Sequence, residues 1–514
     1  MRDLLARMNS ASTPSRYLSL FASATFQLFL GFLVKTLFFV WYIHENADFP
    51  HMGGFASWDA DSWEYINTVE SWLRGSGWDP DHRLPGYAVI YLMFRWLLER
   101  PIAGDALVVF QLITAVLAAW CIAREAAHAS KRSALFWPLY LLLLFTAFHA
   151  VTENNLINES LTTSALMFHW TFYSRFRRSG STPWLIISGF FIMLSIFLRP
   201  IYGPLLAVVP LIELFRVGRP FGRRVVWAFL FVLPFLISDG IWTVRNYREY
   251  GGFHPLTNHG PYNPVFSATP YYAVIWYVQA YGGHCYWWDP IADMRWFGYE
   301  PDAGGGTNRS IPGVPEPPED AYTSICTKDS LAGLAIDLRK TRLPGKTKEQ
   351  IDSTAKSMMA KARRFRVAYA REHPFHYQVV SRLRLLKHQC IHSGTNSLFR
   401  RPFAELATLE KVYKLLQSAI YWWVLVVGML GGIVLAMRVR RDPVAAILGI
   451  MAIYGVLACP WIMRMAEIRY LIPVFPLLIA TSTWLALTTI ERVRGRKDRA
   501  SIAGPAQPVH RSSV

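Results

Sequence analysis

Charge is what this chain has least of. Only 17% of its 514 residues are charged, against 53% hydrophobic and 15% aromatic, and mean hydropathy is +0.21. That balance excludes an ordinary soluble enzyme. No P-loop is present, and no Gly-rich piece follows a strand and opens a helix, so no nucleotide or dinucleotide site is implied. There is neither an internal repeat nor an acid at the middle of an apolar run, which counts against a transporter built from paired halves. The first apolar run is too long for a signal-peptide core and lacks a small-residue cleavage site, so it reads as a signal anchor. Cysteines number five. Cys121 and Cys459 fall in or near apolar runs. Cys285, Cys326 and Cys390 lie in a long polar segment where oxidising conditions allow a disulfide, and Cys285–Cys326 is the expected pair.

What the chain has in quantity is long apolar runs. They recur at roughly 18–43, 104–123, 134–151, 156–174, 183–198, 200–215, 225–243, 417–437, 443–461 and 469–490, and a shorter run, 84–98, carries Arg95. A helix needs about 20 residues to cross the hydrocarbon core. The expectation is an all-α polytopic membrane protein of about ten or eleven transmembrane helices, because a helix satisfies its backbone within itself. The net charge of +18 suggests nucleic acid until its placement is read. Basic residues sit in short clusters between runs: Arg124, Lys131 and Arg132; Arg175, Arg177 and Arg178; Arg216, Arg219, Arg223 and Arg224; Arg438, Arg440 and Arg441; and the tail from Arg492. This is the positive-inside pattern, so those segments and both termini are expected in the cytoplasm and the partner is the bilayer, with no nucleic acid. The opposite face then carries the loop 44–83, the turns near 152–156 and at Arg199-Pro200, the segment 244–415 and the turn 462–468. Residue 83 is outside and residue 124 inside, so 84–98 reads as a juxtamembrane or re-entrant helix and ten full spans remain.

Four regions follow. Residues 1–243 form an N-terminal membrane module with its first outer loop at 44–83. Residues 244–415 are too polar and too rich in Pro and Gly for a membrane and form an extracytoplasmic insert, α or mixed. Within it, 347–372 has helical spacing, with Ile351, Ala355, Met358, Ala362 and Phe365 along one side. Residues 416–490 return to the membrane, and 491–514 read as a disordered cytoplasmic tail.

The chemistry-bearing residues gather on the outer side. Asp59-Ala60-Asp61-Ser62-Trp63-Glu64-Tyr65 follows the first span, with Arg83-Leu84-Pro85-Gly86-Tyr87 behind it. Asp61 and Tyr65, four apart, share a helix face with Thr68 and Trp72, and Trp58, Trp63, Trp72 and Trp78 suit a helix lying in the membrane interface. Asp61 would then sit at headgroup depth. The competing reading is that Asp59 and Asp61 merely cap a surface helix. Glu153, Glu159, Arg199, Arg245 and Arg469-Tyr470 lie at outer ends of spans. Outward arginines run against the positive-inside bias, which points to an anionic ligand; the rival explanation is snorkelling, or pairing with Glu153, Glu159 or Glu467.

With these motifs in order, the chain resembles the polytopic glycosyltransferases of the GT-C superfamily, nearest the bacterial branch related to protein O-mannosyltransferases and lipid A aminoarabinose transferases. The resemblance rests on Asp61 four before Tyr65, on Arg83 to Tyr87, on Glu159 after the fourth run, on Leu198-Arg199-Pro200, on Arg245-Asn246-Tyr247 before Gly251, and on Arg469-Tyr470 with Pro473 and Pro476. Many relatives have proline where this chain has Ala88. The insert 252–415 matches no pattern and leaves the acceptor unidentified.

The resemblance implies a GT-C-like fold that moves a sugar from a polyprenyl-monophosphate carrier to a glycan, glycolipid or protein acceptor of the cell envelope. The setting would be a bacterial inner membrane, with chemistry on its extracytoplasmic face. Asp61 is the expected base for the acceptor hydroxyl, and Glu159 would position Asp61 or the sugar. Arg83, Arg199, Arg245 and Arg469 would stabilise the leaving phosphate. Asp59, Tyr65, Tyr87, Glu153, Tyr470 and Asn263 complete the substrate-binding set. No pair of nucleophiles for a double displacement is apparent, so inversion is expected. Asp59 and Asp61 alternate as in a DxD pair that a divalent cation accepts; oligosaccharyltransferase relatives bind a metal through acids of this loop, the mannosyl and aminoarabinosyl branches do not depend on a metal, and none is assigned. Two rivals stand beside this reading. An O-antigen-type ligase using a diphosphate carrier would place arginine and histidine chemistry in the large outer loop. A transporter would need broken spans.

Overall fold

An apolar segment that leaves water must bond every N–H and C=O within itself, and these runs do so as helices. The computed structural model describes residues 23–46, 51–58, 61–78, 83–216, 218–256, 270–283, 317–340, 347–391, 393–395, 398–399 and 401–502. Among them the only β pairings are two isolated bridges, His51–Ser57 and Ser57–Asn155. The first half holds α1 (Ala24–Glu45), α2 (Ser62–Leu73), α3 (Gly86–Arg95), α4 (Arg100–Ser130), α5 (Phe136–Phe145), α6 (Glu159–Ser179) and α7 (Thr182–Leu198). Next come α8 (Val208–Leu214) and α9 (Phe221–Tyr250). The insert supplies α10 (Pro270–Ala280), α11 (Lys328–Lys340), α12 (Lys348–Glu372) and α13 (Ser381–Cys390). The chain closes with α14 (Thr408–Ala436), α15 (Pro443–Leu457) and α16 (Phe475–Ile502).

Among the described residues six helices are long and apolar enough to cross a bilayer: Ala24–Glu45, Arg100–Ser130, Phe221–Glu249, Thr408–Ala436, Pro443–Met463 and Ile468–Arg494. A seventh is reached if Ser133–Phe145 and Ala147–Asn154, bent by 50°, count as one span. This architecture agrees with an all-α polytopic membrane protein but yields fewer full spans than the ten or eleven expected. The reasons are local. The run 134–151 breaks at the bend. The run 183–198 gives a helix of 17 residues, and 200–215 opens as a 3-10 helix with Pro204 inside it. The run 156–174 becomes α6, whose Ser160, Thr162, Thr163, Ser164, His169, Thr171 and Ser174 are all buried, so this helix is wrapped by protein. The run 84–98 yields only the ten residues of α3, too short to cross.

Small residues set the helix spacing where hydrophobic driving force between helices is absent. A Cβ on Gly428 would lie 2.7 Å from the Leu478 carbonyl oxygen, and Gly431 meets the Thr481 carbonyl still more closely, so α14 and α16 pack backbone to backbone. The insert has its own core of Tyr277, Leu334, Met358, Ala362, Phe365 and Tyr369. The helix expected over 347–372 is α12, opened by a Thr347–Gln350 capping box, with Ala355, Met358, Ala362 and Phe365 on its buried side. Three boundaries shift. Helix α9 carries seven residues past 243, α14 starts at Thr408 rather than 416, and α16 runs on to Ile502 through the first half of the expected tail.

Candidate functional site

Two separate pieces of chain pin the first outer loop. Asp105 of α4 accepts from the Ala56 amide at 2.8 Å, and Ser57 exchanges backbone bonds with Asn154 and Leu156 just before α6. The loop therefore delivers Asp61 to the start of α6, where Glu159 is the first residue. Helix α7 runs antiparallel beside α6 and ends at Leu198, which brings Arg199 to the same end of the bundle. Gly86 completes the approach. A Cβ there would stand 2.6 Å from the Phe197 carbonyl oxygen, so only glycine lets the Arg83–Tyr87 segment lie against the chain leading into Arg199.

These placements assemble a charge cluster. Arg469 reaches Asp61 Oδ2 with Nη1 at 2.7 Å and Glu159 Oε1 with Nε at 2.6 Å. Arg83 Nη2 lies 3.3 Å from the same Asp61 oxygen and its Nε donates to Glu64. Arg199 donates to Glu159 and to Asn158 Oδ1, the latter at 3.0 Å, and its guanidinium lies over the Tyr470 ring. Arg83 covers Tyr65 in the same way. Asp61 stands at the N-cap of α2 but makes no side-chain capping bond, so the capping alternative does not hold for it. No bond to its Oδ1 is found among the described residues. Burial alone would raise the Asp61 pKa, but Arg469 and Arg83 outweigh it and hold the carboxyl below its ordinary value. Glu467, 3.9 Å from Arg469, is displaced the other way: burial pushes it up, and the arginines do not compensate.

Among the described residues, three buried polar atoms of the cluster, Glu159 Oε2, the Tyr65 hydroxyl and Arg469 Nη2, have no hydrogen-bond partner. Buried polar groups are nearly always paired, so these atoms are hydrogen-bonding capacity that the cluster has left over. Residues next to the cluster in the chain also line an apolar groove of about 510 Å³. Pro85 and Gly86 beside Arg83, Leu161 beside Glu159, and Phe197 beside Arg199 all line it, with Phe94, Phe110, Phe168 and Phe191 farther along. No family model, curated protein or solved structure matches this chain.

Asp61, Tyr65, Arg83, Glu159, Arg199, Arg469 and Tyr470 thus come together as expected. Others do not. Glu153 is turned to Lys35 at 2.7 Å in a buried ion pair that ties α1 to the bend. Tyr87 spends its hydroxyl on Gln111 at 2.9 Å and serves as a tilted neighbour of the Tyr65 ring. Arg245 donates to the Trp78 carbonyl and to Asn246 Oδ1 and lies over Trp242, with no contact to Asp61 or Glu159 given by those bonds. Asp59, Asn263 and Cys285 lie outside the described residues. Among the described residues Cys326 is a buried free thiol that donates to the Tyr277 hydroxyl at 2.9 Å, and its expected partner Cys285 is not among them. Among the described residues no three His, Cys, Asp or Glu side chains are grouped to hold a metal. Two members of the cluster were not read from the sequence. Glu64 carried a signal, three residues beyond Asp61 on the same helix, and Asn158 stands next to Glu159.

Proposed function

We propose that the chain is a membrane glycosyltransferase of GT-C type, acting on a polyprenyl-monophosphate sugar and an acceptor of the cell envelope. The observation that carries this reading is a cluster of Arg83, Arg199 and Arg469 with Asp61 and Glu159, whose chain neighbours Gly86, Leu161 and Phe197 line an apolar groove. A donor of this class has an anionic head and a long hydrocarbon tail, and those are the two chemistries the cluster and groove complement. In a single displacement the acceptor oxygen bonds to the anomeric carbon as the carbon–oxygen bond to phosphate breaks. The hydroxyl proton passes to Asp61, and the phosphate leaves with the charge that the arginines stabilise. Glu159, held by Arg199 and Arg469, orients those cations. The anomeric centre inverts.

The unpaired Glu159 Oε2 and Tyr65 hydroxyl are suited to sugar hydroxyls. Sidedness follows from charge. Arg177 and Arg178 lie at the far end of α6, about 30 Å from Glu159 by helical rise. On the positive-inside rule that basic end faces the cytoplasm and the cluster faces outward across a bacterial inner membrane. The ligase reading would move the chemistry to the insert, where Asp320, His376 and Arg384 do meet. The groove and the orphaned atoms favour the Asp61 cluster instead. The test is transfer by the purified protein in lipid nanodiscs from polyprenyl-phosphate sugars to envelope extracts. Asp61→Asn is expected to lower kcat by about 100-fold or more, and full activity in that variant removes the proposed base.

A further inference from the structure

Between α15 and α16 the chain takes a conformation that its residues do not favour. Arg464 has φ of 54°, in the left-handed region that glycine enters freely and an L side chain avoids. A π-helical turn, Ala458–Met463, runs directly into it. The segment it grips, His376–Val380 of the insert, is also π-helical. Such turns are rare and concentrate at functional sites. The grip is close: the guanidinium lies over the Tyr377 ring at 3.6 Å to the centroid, Nη1 donates to the Tyr377 carbonyl at 2.8 Å, and Nη2 donates to Gln378 Oε1 at 3.2 Å. Tyr377 is anchored in turn, since its hydroxyl receives Arg366 and its ring packs against Tyr369 in the insert core. Arg464 is itself buried. Three residues beyond it stands Glu467, and five beyond it Arg469.

A left-handed arginine is poorly explained as a chain-turning residue, because glycine would turn the chain at lower cost. Its side chain accounts for its presence. We infer that Arg464 is a positioning residue: it clamps the segment that presents Arg469 onto the outer insert, so that the insert sets where Arg469 meets Asp61 and Glu159. The insert thereby gains a role that its sequence did not suggest, as the rigid stop for one arginine of the cluster. The clamp is a statement about structure; its effect on turnover rests on the transfer reading above.

The test uses the full chain in nanodiscs with two variants. Arg464→Gly accepts the left-handed backbone and removes the grip. Tyr377→Leu removes the stacking partner from the insert side while leaving the 464–469 segment unchanged. Both are expected to raise hydrogen exchange over 465–471 on the order of tenfold, with protection of α4 and α16 unchanged. In transfer, both should lower kcat by about 10- to 100-fold with a smaller change in donor KM, as misplacement of a charge-stabilising group does. The acid limb of the pH–rate profile should move to higher pH as Asp61 loses its arginine. Loosening of 465–471 in a chain whose wild type transfers no sugar would sustain the clamp and remove the glycosyltransferase reading. Unchanged exchange over 465–471 in either variant, or exchange that rises equally in every helix, overturns the clamp.

Discussion

Arg469→Lys tests the centre of the site. The guanidinium spans two carboxylates from different parts of the fold, at 2.7 Å to Asp61 and 2.6 Å to Glu159. A lysine is a single point charge on a flexible stem and holds one of them at a time. Glu159 is fully buried and will keep it, so the Asp61 arm is the one lost. A charge-assisted hydrogen bond contributes about 1.5–3 kcal/mol. The Asp61 and Arg469 side chains are 28% and 23% exposed, and screening brings the expected loss to about 1–2 kcal/mol. The assay is a double-mutant cycle with Asp61→Asn, read by denaturant unfolding in micelles, where the coupling should equal that loss. The pH dependence has a definite sign. The Asp61 carboxyl is held below its ordinary value, so the coupling is complete above about pH 4 and disappears as pH falls through the depressed value. A coupling below about 0.3 kcal/mol at pH 7, or one unchanged at pH 3, would show that the two residues do not interact as described.

Gly86→Ala should lose about 1–3 kcal/mol, since the new methyl meets backbone at Phe197 that cannot swing away, and transfer should fall further than stability because Arg83 and Arg199 are pushed apart. Glu153→Gln should destabilise the chain by about 3–5 kcal/mol by stranding Lys35, whereas the pair Lys35→Met with Glu153→Leu should recover most of it in the same unfolding assay. Burial raises the Glu467 pKa above 4.5, so the wild type should lose stability as pH rises through that raised value; in Glu467→Gln that decline should vanish, as parallel melts at pH 5 and pH 8 would reveal.

Much of the architecture was legible because it obeys local rules. Apolar runs of spanning length predict helices from composition alone, and the 3.6-residue period of 347–372 marks α12 with its buried side. The span count was less legible. Hydropathy measures what a side chain prefers, not what surrounds it, so α6 looked like a lipid-facing span although protein encloses it. The site divided in the same way. Residue type and order picked out Asp61, Glu159, Arg83, Arg199 and Arg469. Glu153 and Arg245 have the same types at equivalent positions along the chain, yet pair with Lys35 and Trp78.

The sequence alone determined that this chain is helical, apolar and charged asymmetrically, because those properties add residue by residue. Only the tertiary structure decided which acid meets which base. An ion pair depends on distances of a few ångströms between residues as far apart as Asp61 and Arg469, and those distances come from glycine-spaced helices, the pinned first loop and the insert that Arg464 grips, none of which is encoded at the positions that meet.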